Sequence, residues 1–140
     1  MHLTKPGDDG TEPIADDELL YRRIPVSTGW YTESGLSPVA FEPRRDETTG
    51  ISIYRAKYKS IQEVAKGISR GGYYVAVLRA GDLRKHGIEV VPRPKPDDPG
   101  HAELPDLTCH NRQTAEALER THRLTELRLR VEGPFSPTMD

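Results

Sequence analysis

"YYVAVLRA", Tyr73 to Ala80, is the stretch on which the fold turns. It is a nearly continuous apolar run of strand length, the pattern of a strand buried on both faces. Just before it, Gly71-Gly72 stops a short helix expected over Ile61–Ser69. That helix opens at Ser60, with Glu63 three residues on in a capping-box spacing. Its apolar positions Ile61, Val64, Ala65 and Ile68 fall on one face.

Further upstream, "TTGISIYRAKY" turns at Thr48-Thr49-Gly50 and then alternates, with Ile51, Ile53 and Arg55 set against Ser52, Tyr54 and Ala56. This is strand periodicity. Val26 to Arg45, with Trp30, Tyr31 and Phe41, reads as a long loop pinned by its aromatic residues. Leu20 to Ile24 suits a first strand or a helical turn, ended by Pro25. Downstream, Asp82–His86 is expected to form a second short helix, closed by Gly87. "IEVVPRP" is a strand that runs into a loop holding Pro92, Pro94, Pro96 and Pro99, and "HAELPDL" a final short strand.

The chain then enters a helix predicted over Arg112–Val131. Ala115, Leu118, Leu124, Leu127 and Val131 recur at helical spacing, with Gly133-Pro134 beyond. The expected organisation is a disordered leader over 1–15, an α+β domain over 16–110, a C-terminal helix over 111–132 and a tail over 133–140. The fold class is α+β: a small mixed β-sheet of about four strands, two short helices and one long helix.

With 140 residues, of which 34% are hydrophobic and 30% charged, the chain should hold one modest core. Nothing approaches an apolar run of about 18 residues, so no membrane span is expected. The first ten residues lack an apolar signal region, and the plain expectation is a cytoplasmic bacterial protein. The single cysteine, Cys109, excludes an intrachain disulfide. Twenty basic against twenty-two acidic residues give no general field for nucleic acid.

The succession "LLYRRIP", "LSPVAFEP", "GISIYRA", "YVAVLRAGDLRKHGIEVVPRP" and "PGHAELP" resembles a small family of bacterial proteins with no established activity. Those proteins carry an Arg-Arg pair, a Ser-Ala-Phe-type element, Leu-Ser-Val and Gly-Val-Ala strands, and a proline loop leading to a Gly-His-Ala strand. The resemblance covers about residues 18–105 and implies an architecture, not a mechanism. It departs at Val39 and in the charged helix after Asn111.

Three groups of residues are candidates for a site. Arg22 and Arg23 with Arg55, if one arginine from each strand shares a face, would grip a phosphate or carboxylate. An arginine and a serine on neighbouring strands, here Arg22 or Arg23 with Ser52, is also the way ADP-ribosyltransferase-type sites hold a dinucleotide; that is analogy at the level of fold. His101 and Glu103, at i and i+2 on a strand, would place imidazole and carboxylate on one side as base and orienter. Tyr54, Lys57 and Lys59 interleave aromatic and basic side chains in the manner of a nucleic-acid-binding strand.

Asp97, Asp98, His101, Asp106 and His110 match no strong metal spacing, so neither metal nor cofactor is expected. Each group also has an ordinary structural role open to it: surface ion pairs for the arginines, a loop tie for His101. The leading expectation is an accessory protein that binds another protein through its C-terminal helix, with no catalysis of its own. The alternatives are an enzyme acting on a phosphate-containing substrate (nucleotide or RNA) with an Arg/His/Glu site, and a nucleic-acid-binding module.

Overall fold

The computed structural model describes residues 9–67 and 71–136. Strands β1 (Leu19–Pro25), β2 (Tyr31–Thr32), β3 (Gly35–Leu36) and β4 (Ile51–Arg55) come first. Helix α1 (Ile61–Val64), strand β5 (Tyr73–Arg79) and helix α2 (Ala80–Lys85) follow. The chain closes with β6 (Val91–Pro92), β7 (His101–Leu104), helix α3 (Ala115–Leu127) and β8 (Arg130–Phe135). Six strands form one sheet in the order β6-β7-β4-β1-β5-β8, while β2 and β3 make a separate hairpin. Every pairing is antiparallel. The sheet is therefore larger than the four strands expected, and it is antiparallel throughout instead of mixed.

β5 is the strand that "YYVAVLRA" foretells, with Val75 to Leu78 wholly buried. It pairs with β1 along seven positions, from Leu19 opposite Arg79 to Pro25 opposite Tyr73. One face of the sheet carries the main core, in which Leu20, Ile24, Ile51, Ile53, Leu78, Ala102 and Leu104 meet Phe41, Leu83 and Leu124. α2 and α3 lie on this side. A smaller cluster of Val64, Ala65, Tyr73 and Val75, with Tyr21 and Tyr54 packed against it, puts α1 on the other face.

Ser60 and Glu63 form the expected capping box. α1 is short, however, ending at Val64, and the expected positions Ile68 and Ser69 lie outside the described residues.

α3 departs further from expectation. It begins after Thr114, whose hydroxyl accepts from the Ala117 amide at 3.1 Å, and it stops at Leu127. Leu129 then donates to the Val77 carbonyl, and Arg130–Phe135 adds a strand to the open side of β5. A strand as buried as β5 needs a hydrogen-bond partner on each edge, and this demand overrides the helical spacing of Leu127 and Val131. The segment assigned to a tail thus begins inside a strand. Ala117, Thr121, Leu124 and Thr125 are buried in the domain, while Leu118 remains half exposed.

Residues 1–8 of the expected leader lie outside the described residues, and the rest of it is packed. Ile14 is 3% exposed and belongs to the main core. Arg55, entirely buried, holds this segment. It donates to Glu18 at 2.5 and 3.0 Å, to the Gly10 and Glu12 carbonyls at 3.2 and 3.1 Å, and to the Glu12 carboxylate at 3.3 Å. Glu12 also accepts from Lys57 at 2.6 Å and Tyr58 at 2.5 Å. Burial alone would raise the Glu12 pKa, but these hydrogen bonds hold it down to about 2. Burial first, and then the hydrogen bond to Glu12, push the Tyr58 hydroxyl up to about 12.

Candidate functional site: a cationic cleft where the sheet opens

The β1–β4 ladder pairs only Leu20 with Arg55 and Tyr21 with Tyr54. Beyond that point an ion pair takes the place of backbone pairing. Arg22 donates to Glu47 at 2.9 Å and to the Ser52 carbonyl at 2.9 Å. Glu47 accepts from the Ser52 amide at 2.6 Å. Both backbone groups of Ser52 are thus satisfied by side chains. Arg22 further donates to the Ala40 and Glu42 carbonyls at 3.0 and 3.4 Å, and Glu47 accepts the Arg44 amide at 2.8 Å. The loop before β4 is pinned against the sheet by this one pair.

Both members are nearly buried, at 5% and 8% side-chain exposure. Burial works to raise the Glu47 pKa, but the adjacent Arg22 guanidinium and the two backbone amides outweigh it, leaving a lowered pKa. A carboxylate depressed in the folded state contributes stability that is complete above its unfolded value near 4.5 and is lost as pH falls through the folded pKa. Glu47→Gln is therefore expected to cost about 1–3 kcal/mol at neutral pH. The difference from wild type should narrow below pH 4.5. Urea unfolding at both pH values measures this; a gap independent of pH would disprove the assignment.

Where the strands part, the α1 side of the sheet holds a cleft of about 190 Å³. Arg22 and Arg23 line it from β1, and Ser52 and Tyr54 from β4. Arg44, Asp46 and Glu47 come from the preceding loop, and Lys95 from the proline loop. With Arg22 paired to Glu47, the remaining charges are three cations against Asp46. Arg23 lies 4.6 Å over the Tyr73 ring and donates to the Lys66 carbonyl. The Arg44 pKa is lowered by burial first and then by Arg22, with Glu47 opposing and Arg23 adding to the effect. Neighbouring cations therefore repel one another here, and an anion would relieve that repulsion.

Ser52 lines the cleft from β4. Its side chain points away from the main core, because Ile51, Ile53 and Arg55 alternate with it into the buried face. Across the β4–β7 ladder Tyr54 faces His101 and Ser52 faces Glu103, so all four share one side of the sheet. His101 Nδ1 lies 2.9 Å from the Arg93 carbonyl, and Nε2 lies 3.0 Å from Ser52 Oγ. A carbonyl oxygen can only accept, so Nδ1 carries a proton, and in the neutral ring Nε2 then accepts from the Ser52 hydroxyl. The histidine is 2% exposed and sits behind the serine. Tyr54 packs edge-on to its ring, with centroids 5.8 Å apart.

The other sequence candidates divide. Arg23 shares the cleft with Ser52. Arg22 reaches it but is spent on Glu47. Arg55 belongs to the opposite face and to the N-terminal clamp, so the structure does not bring it to Arg23. Glu103 is beside His101 on the strand, but its carboxylate accepts from Thr49 at 2.8 Å and from Arg93 at 3.3 Å. The orienter of His101 is a backbone carbonyl and not Glu103. Tyr54 lines the cleft; Lys57 is bound to Glu12, and Lys59 pairs with Asp98 at 3.4 Å and lies 4.9 Å over Tyr54.

No family model, curated protein or solved structure matches this chain. The resemblance in its motifs therefore rests on those motifs alone, and the cleft has to be read from its own geometry. Among the described residues, no group of three or more His, Cys, Asp or Glu side chains is placed to hold a metal ion. None of the described helices is long and apolar enough to cross a membrane. Sequence reasoning missed Arg44, Glu47 and Lys95, which lie in loops without periodic signal. It reached Ser52 only through analogy, since the partnership with His101 depends on strand register.

Proposed function

We propose that the protein is an enzyme acting on a phosphate-containing small molecule, with Ser52 as nucleophile. The observation that carries this reading is the hydrogen bond from Ser52 to a buried, tautomerically fixed His101 at the wall of a cationic cleft. A serine beside a histidine whose far nitrogen is held is the arrangement that activates a hydroxyl. Phosphoryl chemistry fits better than acyl transfer. The Ser52 amide, a natural oxyanion donor, is already given to Glu47, whereas Arg23, Arg44 and Lys95 supply positive charge suited to a phosphoryl group.

In the proposed sequence, Ser52 Oγ forms a bond to phosphorus as the bond to the leaving oxygen breaks. His101 Nε2 takes the hydroxyl proton, while the leaving oxygen, on the far side of phosphorus, takes its proton from a cleft water and leaves hydroxide. That hydroxide then attacks the phosphoserine in line, and Oγ departs with the proton held on His101 Nε2. The net reaction is hydrolysis of a phosphate ester.

The accessory-protein reading draws its support from the exposed Leu118 and Leu129, at 46% and 48% exposure. The apolar stripe that suggested a docking helix is largely used within the domain.

Binding and trapping test the enzyme reading together. Inorganic phosphate should bind by calorimetry, and Lys95→Ala and Arg44→Ala should each weaken it by about 10- to 150-fold, in the range of a charged hydrogen bond. Acid quenching during turnover of a phosphate ester should leave a phosphoryl adduct on the peptide containing Ser52. Phosphate affinity unchanged in both variants, with no adduct, would refute the proposal.

A further inference from the structure

The cleft has an apolar neighbour. A groove of about 210 Å³ is lined by Trp30, Val39 and Pro43, with Glu42 and Arg112 at its rim, and Arg44 lines it as well as the cleft. Arg44 lies 5.8 Å over the Trp30 ring. We infer that this groove takes the base of a nucleoside phosphate whose phosphate occupies the cleft, with Trp30 as the stacking platform. The inference rests on the proposed phosphate site and extends it to a substrate class.

Three observations support it. The first is continuity. One segment, Ala40 to Glu47, runs from groove to cleft and is clamped by Arg22 at Ala40, Glu42 and Glu47. The two sites thus keep a fixed relation. The second is rigidity. The Trp30 amide donates to the Thr28 hydroxyl at 3.2 Å, its carbonyl accepts the Ser37 amide at 2.7 Å, and its side chain packs against the core. A fixed aromatic ring, partly exposed, is suited to stacking a flat heterocycle.

The third is chemical contrast. The cleft is cationic, while Trp30, Val39 and Pro43 give the groove an apolar lining; Val39 is 37% exposed there. A ligand matching both must join a flat apolar ring to an anion. Arg44 stands between the two halves, so the ring and the phosphate need a spacer at least as wide as a guanidinium. A sugar provides one. An aryl phosphate, with phosphate directly on the ring oxygen, does not reach both.

Trp30 is the sole tryptophan of the chain, which makes it its own reporter. The test titrates the intact protein with adenosine 5′-monophosphate, ribose 5-phosphate, phenyl phosphate and inorganic phosphate, following affinity by calorimetry and Trp30 fluorescence. Adenosine monophosphate should bind about 5- to 100-fold more tightly than ribose 5-phosphate, the range of one base stacked on an aromatic ring. It alone should quench the fluorescence. Trp30→Leu should abolish that preference while leaving ribose 5-phosphate affinity unchanged.

Val39→Glu, at an exposed position of the lining, should weaken only the nucleotide and guards against a Trp30 variant that fails to fold. Equal binding of the nucleotide and the sugar phosphate, with both weakened by Lys95→Ala, would overturn the groove assignment and leave the phosphate site standing. No binding by any of the four would overturn both. Tighter binding of a single-stranded oligoribonucleotide than of the mononucleotide would replace the mononucleotide assignment with a polymer.

Discussion

Arg55→Met should destabilise the protein by about 3–5 kcal/mol, the usual cost of removing one partner from a buried ionic network. The side chain is fully buried and its five hydrogen bonds reach Gly10, Glu12 and Glu18. Methionine fills much of the space but leaves two carboxylates and two carbonyls without their shared donor. Much of the loss comes from those stranded groups, so neutralising Glu18 at the same time should return part of it.

Urea unfolding of Arg55→Met, Glu18→Met and the double variant gives the coupling directly. Additive losses would show that the pair acts independently, contrary to the geometry. The same variant separates clamp from cleft: folded Arg55→Met should bind inorganic phosphate as wild type does, because Arg55 sits on the opposite face of the sheet.

Ser52→Ala is the second large effect. Turnover of a phosphate ester should fall at least about 10³-fold, because the variant has no oxygen to carry the phosphoryl group. Phosphate affinity should change little, since the cations that grip the anion are untouched. Stability should fall by about 1 kcal/mol for the lost hydrogen bond to His101. His101→Gln is the companion variant. It should lower kcat by about 10²–10⁴-fold with KM nearly constant, the signature of a general base rather than a binding group. If Ser52→Ala keeps its turnover, the serine is only a tie for the imidazole.

These expectations show what was legible in the sequence. The buried strand at Tyr73–Arg79, the alternating strand at Ile51–Arg55, the capping box at Ser60 and the strand opening at His101 all follow from local pattern, and all are present. β8 does not follow. Leu127 and Val131 continue a helical period, and only the vacant edge of β5 makes Arg130 extend.

The site divides along the same line. Arg23 and His101 stood out as residue types in strands, but their relation did not. The register that sets Tyr54 opposite His101 puts the imidazole beside Ser52, and the early separation of β1 from β4 opens the cleft. Arg55 misleads because alternation gives its face but not its neighbours. Gly10 and Glu12 lie in the expected leader and Glu18 just before the first strand, and none of the three carries a periodic signal.

The two outermost strands of the sheet have a property in common. β6 pairs at only two positions and includes Pro92, and β8 carries Pro134 between alternating charges and its last residue, Phe135. A proline offers no amide to an incoming strand, and a two-residue rim offers almost nothing to copy. A proline in each edge strand removes one amide that an incoming strand would use, which disfavours self-templating at both margins. Both rims thus offer an added strand less backbone than the interior of the sheet does, whereas the cleft offers side chains.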